Sequence, residues 1–170
     1  MKFAYADPPY PGMAKYYPEK TEVNHKELID KSNDEFDGWA LSTASSTLKE
    51  VISLCPDDVR IASWTKTFCS FKPSQRVFYA WEPVIFRGYR PKAGHEKGVR
   101  DWFACRMTFK KGLMGAKPKG FCMWILELLG VHDDDEFVDL YPGTYIMEDA
   151  RNTYFSQTKL KFSNYIDEGG

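Results

Sequence analysis

Short apolar runs alternate with amphipathic stretches along the chain, and this alternation predicts an α/β fold. Residues 2–6 and 59–65 are predicted to be buried strands, and residues 76–90 two short strands interrupted near Pro83. Residues 136–145 are predicted to form a strand that runs into a glycine-containing turn. Because strands and helices alternate, we expect a largely parallel sheet with helices on both faces.

Two longer helices are predicted from apolar residues at helical spacing. Residues 41–56 carry such a face, with serine and threonine start signals and Pro56 as the stop. Residues 119–130 form a compact apolar segment that ends at Gly130, a residue that favours helix ends. Residues 11–38 are predicted to be mostly irregular, with a short helix near 25–30. Residues 88–116 show no period that predicts an element. A helix is predicted from about Ile146, and a strand at 158–162.

Composition predicts a globular protein with one domain over residues 1–170. Aromatic residues make up 16% of the chain, and a net charge of -1 excludes an overall basic field. The four cysteines lack paired spacing, so we expect reduced thiols and no metal site. The acidic run at 132–136 is expected to be a solvated turn. The longest apolar run is too short for a bilayer and no signal peptide is evident, so we expect a soluble protein.

The stretch Asp7-Pro8-Pro9-Tyr10, directly after the first predicted strand, carries the clearest chemical information. Its prolines end the strand, remove backbone donors and stiffen the turn. An acid and an aromatic ring flank them, which is a combination that can hold a flat, polar ring. Ligands of such sheets bind at the carboxyl ends of strands. Residues 139–145 also follow a strand, so we expect both segments at one edge of the sheet.

Asp7-Pro8-Pro9-Tyr10 resembles the catalytic motif of amino-group DNA methyltransferases, which transfer a methyl group from S-adenosylmethionine (SAM) to adenine N6 or cytosine N4. The resemblance implies that the Asp7 carboxylate and the Pro8 carbonyl accept the hydrogens of the exocyclic amine. Pro9 completes the stiff turn. Tyr10 is then expected to stack on the flipped base.

Further segments resemble the cofactor-binding parts of the same family. Residues 138–144 resemble its loop D-x-F-x-G-x-G, which follows a strand and approaches the cofactor. Lys117-Pro118 resembles the lysine-proline pair that opens another cofactor-contacting segment, and 81–85 resembles a short strand built around Glu82. The cofactor-binding residues implied by these resemblances are Asp139, Tyr141, Gly143, Thr144, Lys117 and Pro118.

The order of these segments is that of the permuted β-class enzymes, with the catalytic motif first and the cofactor loop last. The resemblance spans about residues 3 to 150 and implies a Rossmann-like methyltransferase sheet of a small, phage-type member. It implies SAM as cofactor, DNA as partner and the cytoplasm of a bacterial or phage-infected cell as location.

Two features depart from the family pattern. Tyr145 stands where the family loop usually has its last glycine, and the chain ends 25 residues later. Family members usually continue through two more strands, the first of which ends in a ribose-binding acid. We therefore expect a sheet truncated after the cofactor loop. The cofactor pocket is then incomplete, completed by a second subunit of a homodimer, or no longer used.

Residues 87–119 form a basic window with ten lysines and arginines and two acids, a net charge of +8. Aromatic residues are interleaved with these cations, a mixture typical of nucleic-acid binding. The window lies where β-class enzymes carry target recognition, and a solvated basic loop is the alternative. The expected DNA-binding residues are Arg87, Arg90, Lys92, Arg100, Arg106, Lys110 and Lys111.

Together these patterns predict a SAM-dependent DNA amino-methyltransferase, with adenine N6 favoured over cytosine N4. Two alternatives stay open at this point. The first is a protein of the same fold that has lost catalysis and binds DNA or a partner. The second is an enzyme that places another group on the exocyclic amine. The cofactor half of the chain distinguishes them.

Overall fold

Six strands form one sheet in the computed structural model, which describes residues 1–17, 20–68, 74–94, 96–106, 117–143 and 145–167, with side chains up to residue 157. The strands are β1 (Lys2–Ala6), β2 (Gly38–Ser42), β3 (Arg60–Lys66), β4 (Trp81–Arg87), β5 (Trp102–Cys105) and β6 (Glu136–Asp139). Their order across the sheet is β5-β3-β4-β2-β1-β6.

Five strands run in the same direction and β4 runs against both of its neighbours, β2 and β3. The expected α/β fold with a largely parallel sheet is therefore confirmed. Because β4 is antiparallel, its first residues lie at the edge where the other strands end. Glu82 on β4, whose register partner is Trp64 on β3, is brought to the carboxyl edge in this way.

Helices cover both faces of the sheet, as expected. They are α1 (His25–Glu35), α2 (Leu48–Ile52), α3 (Lys119–Leu129) and α4 (Ile146–Asp167), and a short 3-10 helix spans Ala14–Tyr16. One core packs α3 and α4 against the face that includes Phe3, Tyr5 and Trp64. The other packs α1 and α2 against the face that includes Ala4 and Leu41. No helix in the described ranges is apolar and long enough to cross a membrane.

Local sequence signals account for the ends of two helices. The side chain of Asn24 accepts hydrogen bonds from the Lys26 and Glu27 backbone N–H groups and so begins α1. Gly130 ends α3 in the left-handed conformation, with φ +68°, as predicted for a glycine at this position. These two ends fix where the chain leaves each helix toward the next strand.

The predicted helix over 41–56 is wrong in its first half. Leu41 and Ser42 belong to β2, and the helix of this segment is only Leu48–Ile52. All five residues of β2 are buried, so the strand shows no alternation of apolar and polar residues. A short apolar run of this kind cannot be distinguished from a buried helical turn by its pattern.

Three further predictions differ from the structure. Residues 81–87 form one strand through Pro83 rather than two strands, since the Pro83 carbonyl still accepts a hydrogen bond from the Thr43 N–H at 3.1 Å. The predicted strand at 158–162 is part of α4. The short strand β5 lies within 88–116, where the sequence shows no period. Its exposed residues alternate with half-buried ones over four positions, too few for a pattern.

Candidate active site

The candidate site lies at the carboxyl edge of the sheet, where β1 and β6 end side by side. These strands are parallel neighbours with Tyr5 opposite Asp139. The Leu140 N–H donates to the Tyr5 carbonyl at 2.9 Å and extends the pairing beyond β6. The stretch that begins at Asp7 and the loop that begins at Leu140 therefore start next to each other, as expected for two segments at one edge.

Lys117 is buried at the centre of this site, with 7% of its surface exposed. Its Nζ donates to Asp7 Oδ1 at 2.8 Å and to the Tyr10 hydroxyl at 3.1 Å. Nζ also lies 3.3 Å from Glu82 Oε2. The ammonium group thus joins the acid and the aromatic residue of the Asp7-to-Tyr10 stretch to a third residue on β4.

Glu82 holds the other side of this cluster. The Tyr10 hydroxyl donates to Glu82 Oε2 at 3.0 Å, and the second carboxylate oxygen is bonded to Lys66 at the end of β3. Tyr10 is therefore held through its hydroxyl by Lys117 and Glu82 together. We call the set Lys66, Glu82, Lys117, Asp7 and Tyr10 the acid–lysine cluster.

Neither Glu82 nor Lys66 is among the site residues that the sequence predicts. The resemblance of residues 81–85 to a strand built around a glutamate is the signal that singles out Glu82. Lys66 carries a weaker signal, because it directly follows the strand predicted at 59–65 and so is expected at the ligand-binding edge.

Burial and neighbouring charges set the ionisation of the acids. Burial raises the pKa of Asp7, the positive charge of Lys117 opposes that rise, and the negative charge of Glu82 adds to it. Burial also acts to raise the pKa of Glu82, but attraction to Lys117 and Lys66 outweighs it and lowers that pKa overall. Glu82 is therefore the more firmly ionised of the two.

Lys117 and Tyr10 keep their protons. Burial acts to lower the pKa of Lys117, but the charge of Asp7 and the other nearby acidic groups raise it well above its ordinary value. Burial raises the pKa of Tyr10 well above its ordinary value. The Tyr10 hydroxyl therefore stays available as the donor to Glu82.

The loop between β6 and α4 forms the second half of the site. The Tyr141 N–H donates to Asp139 Oδ1 at 3.1 Å. Burial, together with the charge of Asp7, raises the pKa of Asp139 to about 6 despite that hydrogen bond. Gly143 has φ +27° and Tyr145 has φ +55°, both in the left-handed region. Thr144 lies outside the described residues.

Tyr145 keeps the backbone shape of a glycine turn while its side chain faces solvent. The side chain is 65% exposed, and the Tyr145 N–H donates to the Pro142 carbonyl at 2.6 Å. The space inside the loop is therefore not filled by the Tyr145 ring. Asp139 and the described residues of the loop that leads into α4 could hold a cofactor at this edge.

Lys117 and Pro118, which the resemblance places among the cofactor contacts, precede α3. Pro118 is buried and occupies the residue just before the first turn of that helix. Its carbonyl accepts from the Cys122 N–H at 3.2 Å. The Lys117 ammonium contacts three oxygens of the acid–lysine cluster, and so lies on the side of the site that the Asp7-to-Tyr10 stretch occupies.

Five of the seven residues expected to bind DNA are described, and they divide between the two edges of the sheet, with Arg90, Lys92 and Arg100 lining one cavity. Arg87 ends β4 and is bonded to Asp58, so it lies at the edge opposite Asp7. Arg90 Nη2 donates to both carboxylate oxygens of Asp135, which precedes β6 at that same opposite edge. Lys92 follows Arg90 in the same loop, and Arg100 precedes β5. Arg106 follows the carboxyl end of β5, and Lys110 and Lys111 lie outside the described residues.

A cavity of about 1170 Å³ opens at that opposite edge. Aromatic side chains that include Trp102 and Trp124 line it, together with five lysines and arginines and four aspartates and glutamates. Its charges therefore nearly balance. A groove that tracks phosphates needs a clear excess of cations.

One group of possible metal ligands occurs among the described residues, namely His132, Asp134 and Asp135, with ligand atoms within 4.8 Å of one another. The Asp135 carboxylate already accepts from Arg90 and from the His132 N–H. These bonds and the ammonium group of Met1 lower the pKa of Asp135 to about 2, against the opposing effect of burial. Asp135 thus has a structural role at the start of β6.

Comparison with known proteins gives matches of structure but not of sequence. No family model matches the chain, and no characterised protein matches its sequence. The crystal structure of the M1.HpyAVI–SAM complex has a TM-score of 0.64, with 13% sequence identity, over 91% of this chain and 78% of that one. The chain has a Rossmann-like methyltransferase fold.

A second match agrees with the first. Another crystal structure of M1.HpyAVI has a TM-score of 0.58, with 11% identity, over 91% of this chain and 76% of that chain. At these identities the likeness establishes the fold alone. The chemistry of the site has to be argued from the residues of this chain.

Proposed function

We propose that the protein transfers a methyl group from SAM to an exocyclic amine of a DNA base, with adenine N6 favoured. The observation that supports this most is the place of Asp7: a half-buried carboxylate at the carboxyl edge, paired with Lys117 and adjacent to the β6–α4 loop. The fold adds to it, since a protein of this fold, M1.HpyAVI, was crystallised as a SAM complex.

The β6–α4 loop has the features that a SAM site needs. When bound, SAM supplies an electrophilic methyl group on a positively charged sulfur. Asp139 offers a carboxylate whose pKa, raised by burial to about 6, leaves it mostly ionised at neutral pH. The turn at Gly143 lets backbone approach a ligand closely. Because Tyr145 is 65% exposed, its ring leaves that approach open.

Asp7 is the group that handles the amine. A base amine conjugated to its ring is a weak nucleophile, and it becomes a better one when its hydrogens are held by acceptors as the nitrogen rehybridises. Asp7 and the Pro8 carbonyl are those acceptors in our proposal. Bound SAM would supply the methyl group that this nitrogen receives, and the electron pair of the broken carbon–sulfur bond would stay on sulfur. The nitrogen then loses one proton to Asp7, which releases it to water.

Tyr10 orients the base. Its hydroxyl is fixed between Lys117 and Glu82, so its ring cannot turn freely. Stacking on a fixed aromatic face costs less side-chain entropy than stacking on a mobile one. We propose that the flipped base lies against this ring with its amine directed toward Asp7.

Calorimetry with SAM tests the cofactor half of the proposal. We expect the native protein to bind SAM with micromolar affinity, about -7 to -8 kcal/mol. Asp139→Asn should weaken that binding, because it removes the carboxylate from the loop. Asp134→Asn, which changes an exposed acid before β6, is the matched control and should bind as the native protein does. The absence of saturable binding to the native protein would favour a DNA-binding protein of the same fold.

A further inference from the structure

We propose that Lys117 is a positioning residue, which holds the Asp7 carboxylate charged and fixed in orientation for its role as amine acceptor. The inference deepens the proposed function and rests on it for its effect on rate. Its structural part, the control of Asp7 by Lys117, can be tested whether or not the protein is a methyltransferase.

The Lys117 ammonium group donates two hydrogen bonds, to Asp7 and to Tyr10, and forms an ion pair with Glu82. A lysine ammonium has three N–H donors, and three oxygens lie within 3.3 Å of Nζ, one each from Asp7, Tyr10 and Glu82. These three partners come from two different parts of the sheet edge. Lys117 therefore fixes Asp7 relative to β4 and to the Tyr10 ring at the same time.

The charges of the cluster balance only when Lys117 is present. Lys66 and Lys117 are positive, and Asp7 and Glu82 are negative. The exposed fractions of their side chains are small, from 6% for Lys117 to 22% for Asp7. An unbalanced charge in such a place is strongly disfavoured. Without Lys117, one carboxyl group is expected to take up a proton, and Asp7 is the more easily protonated because Glu82 keeps its bond to Lys66.

Groups from every neighbouring element act on Asp7, and Lys117 provides the attraction that keeps it charged. Burial and the charge of Glu82 raise the pKa of Asp7, and Lys117 lowers it both by its charge and by its hydrogen bond. The other titratable groups coupled to Asp7 are Tyr5 on β1, Tyr10 and Tyr17 around the 3-10 helix, Cys122 on α3 and Asp139 on β6.

A protonated Asp7 would be a poor amine acceptor. Protonation occupies one oxygen with a hydrogen and removes the negative charge that makes the other a strong acceptor. Loss of Lys117 should therefore change how the methylation rate depends on pH. The methylation rate should depend on pH in a new range, rather than fall by the same factor at every pH.

The direct test follows the titration of Asp7 by carbon NMR in protein labelled at aspartate carboxyl groups, with Asp7→Asn used to assign the signal. In Lys117→Met the midpoint should move to higher pH, because the attraction is lost. In Glu82→Gln it should move to lower pH, because a repelling charge is lost. Lys119→Met removes a half-exposed lysine that pairs with Asp149, outside the cluster, and should leave the Asp7 midpoint unchanged.

The second test follows the methylation rate across pH in the same variants. The acid limb of the profile should move with the Asp7 midpoint, upward for Lys117→Met and downward for Glu82→Gln. Alkaline pH should recover much of the activity that Lys117→Met loses at acid pH. Lys117→Arg, which keeps the charge, should restore the position of the limb better than it restores the maximal rate.

The outcomes distinguish the role of Lys117 from the proposed function. Opposite shifts of the Asp7 midpoint with no methylation in any protein would support the role of Lys117 and overturn the proposed function. Methylation by the native protein with an unmoved midpoint in Lys117→Met would overturn the role of Lys117. If Lys117→Met fails to fold, Glu82→Gln decides, and an unmoved or raised midpoint in that variant would overturn the inference.

Discussion

At the residue scale, Tyr145 shows how the chain keeps a glycine-like turn without the glycine. Its backbone has φ +55°, a conformation that costs a residue with a side chain about 1–2 kcal/mol. The side chain is 65% exposed and so does not compensate through burial. The strain is therefore carried by the turn, and the ring leaves the loop interior unchanged.

Tyr145→Gly should accordingly stabilise the protein slightly. Relief of the left-handed conformation is partly offset by the extra freedom of glycine in the unfolded chain, which leaves a gain of up to about 1 kcal/mol. SAM affinity should not change, because the ring does not occupy the loop. Thermal unfolding and calorimetry measure the two effects. A large gain in SAM affinity would show instead that Tyr145 blocks the site.

Asp139 is predicted to make stability depend on pH. Its pKa is raised from an ordinary value of 3.8 to about 6. Between these two pH values, the folded state therefore holds a proton that the unfolded chain releases. Stability is therefore lost as pH rises between these two values, by an amount that solvent screening of this partly exposed carboxylate keeps below about 3 kcal/mol. Asp139→Asn should raise the free energy of unfolding at neutral pH and change it little below pH 3.8. Equal effects at both pH values would contradict this account.

At the scale of elements, β2 and β4 approach unusually closely where β2 begins. A Cβ atom on Gly38 would lie 2.0 Å from the Gly88 carbonyl oxygen, and Gly88 itself has φ +68°. Neither backbone can move without breaking the antiparallel pairing of Trp39 with Arg87 next to it. This pairing sets the position of β4 and hence of Glu82.

Gly38→Ala should therefore destabilise the protein by about 1–3 kcal/mol or more, the usual cost of forcing extra volume into a packed site. Gly98→Ala is the matched control, since a Cβ there meets no atom within 4 Å. Denaturant unfolding of both variants measures the difference. A Gly38→Ala protein as stable as the native one would mean that the two strands can separate without loss.

Elements whose ends carry strong local signals could be predicted from the sequence. The prolines after β1 and Gly130 after α3 define where those elements end, and both predictions are confirmed. The boundary between β2 and α2 was wrong, because a fully buried strand has no alternation to recognise. Local sequence patterns carry information about neighbours along the chain, and strand β2 depends on neighbours across the sheet.

The candidate site divides in the same way. The Asp7-to-Tyr10 stretch and Asp139 were placed at one edge because each follows a strand, and they lie there. The ion pair between Lys117 and Glu82 depends on β4 being antiparallel, which brings the first residues of β4 to that edge. Strand direction and order are not encoded in any single segment. The contact between Lys117 and Glu82 therefore could not be predicted from the sequence.

At the scale of the whole molecule, the two edges of the sheet have different characters. Strands of up to seven residues separate them by roughly 20 Å, at about 3.3 Å per residue. The carboxyl edge holds the acid–lysine cluster and Arg106. The opposite edge holds Arg87, Arg90 and the charge-balanced cavity. A duplex whose base enters the site at Asp7 would meet the first edge.

We therefore expect DNA binding to depend on Arg106, which follows β5. Reversing Arg106 to glutamate should weaken binding on all sequences and reduce the salt slope by about 0.9 for each phosphate that is no longer neutralised. Lys92→Glu, at the opposite edge, should have a much smaller effect. Fluorescence anisotropy across a salt series measures both. Equal reductions in affinity from the two edges would contradict this division of the basic window.

The central claim is that a base amine receives the methyl group of SAM while the Asp7 carboxylate accepts a hydrogen of that amine. Its most direct test incubates purified protein with DNA and SAM labelled in the methyl group, digests the DNA and separates the nucleosides by mass spectrometry. We predict labelled N6-methyladenine or N4-methylcytosine with the native protein, and a rate lower by about two to three orders of magnitude with Asp7→Ala. Unlabelled DNA from the native protein, or equal labelling by Asp7→Ala, would contradict the claim.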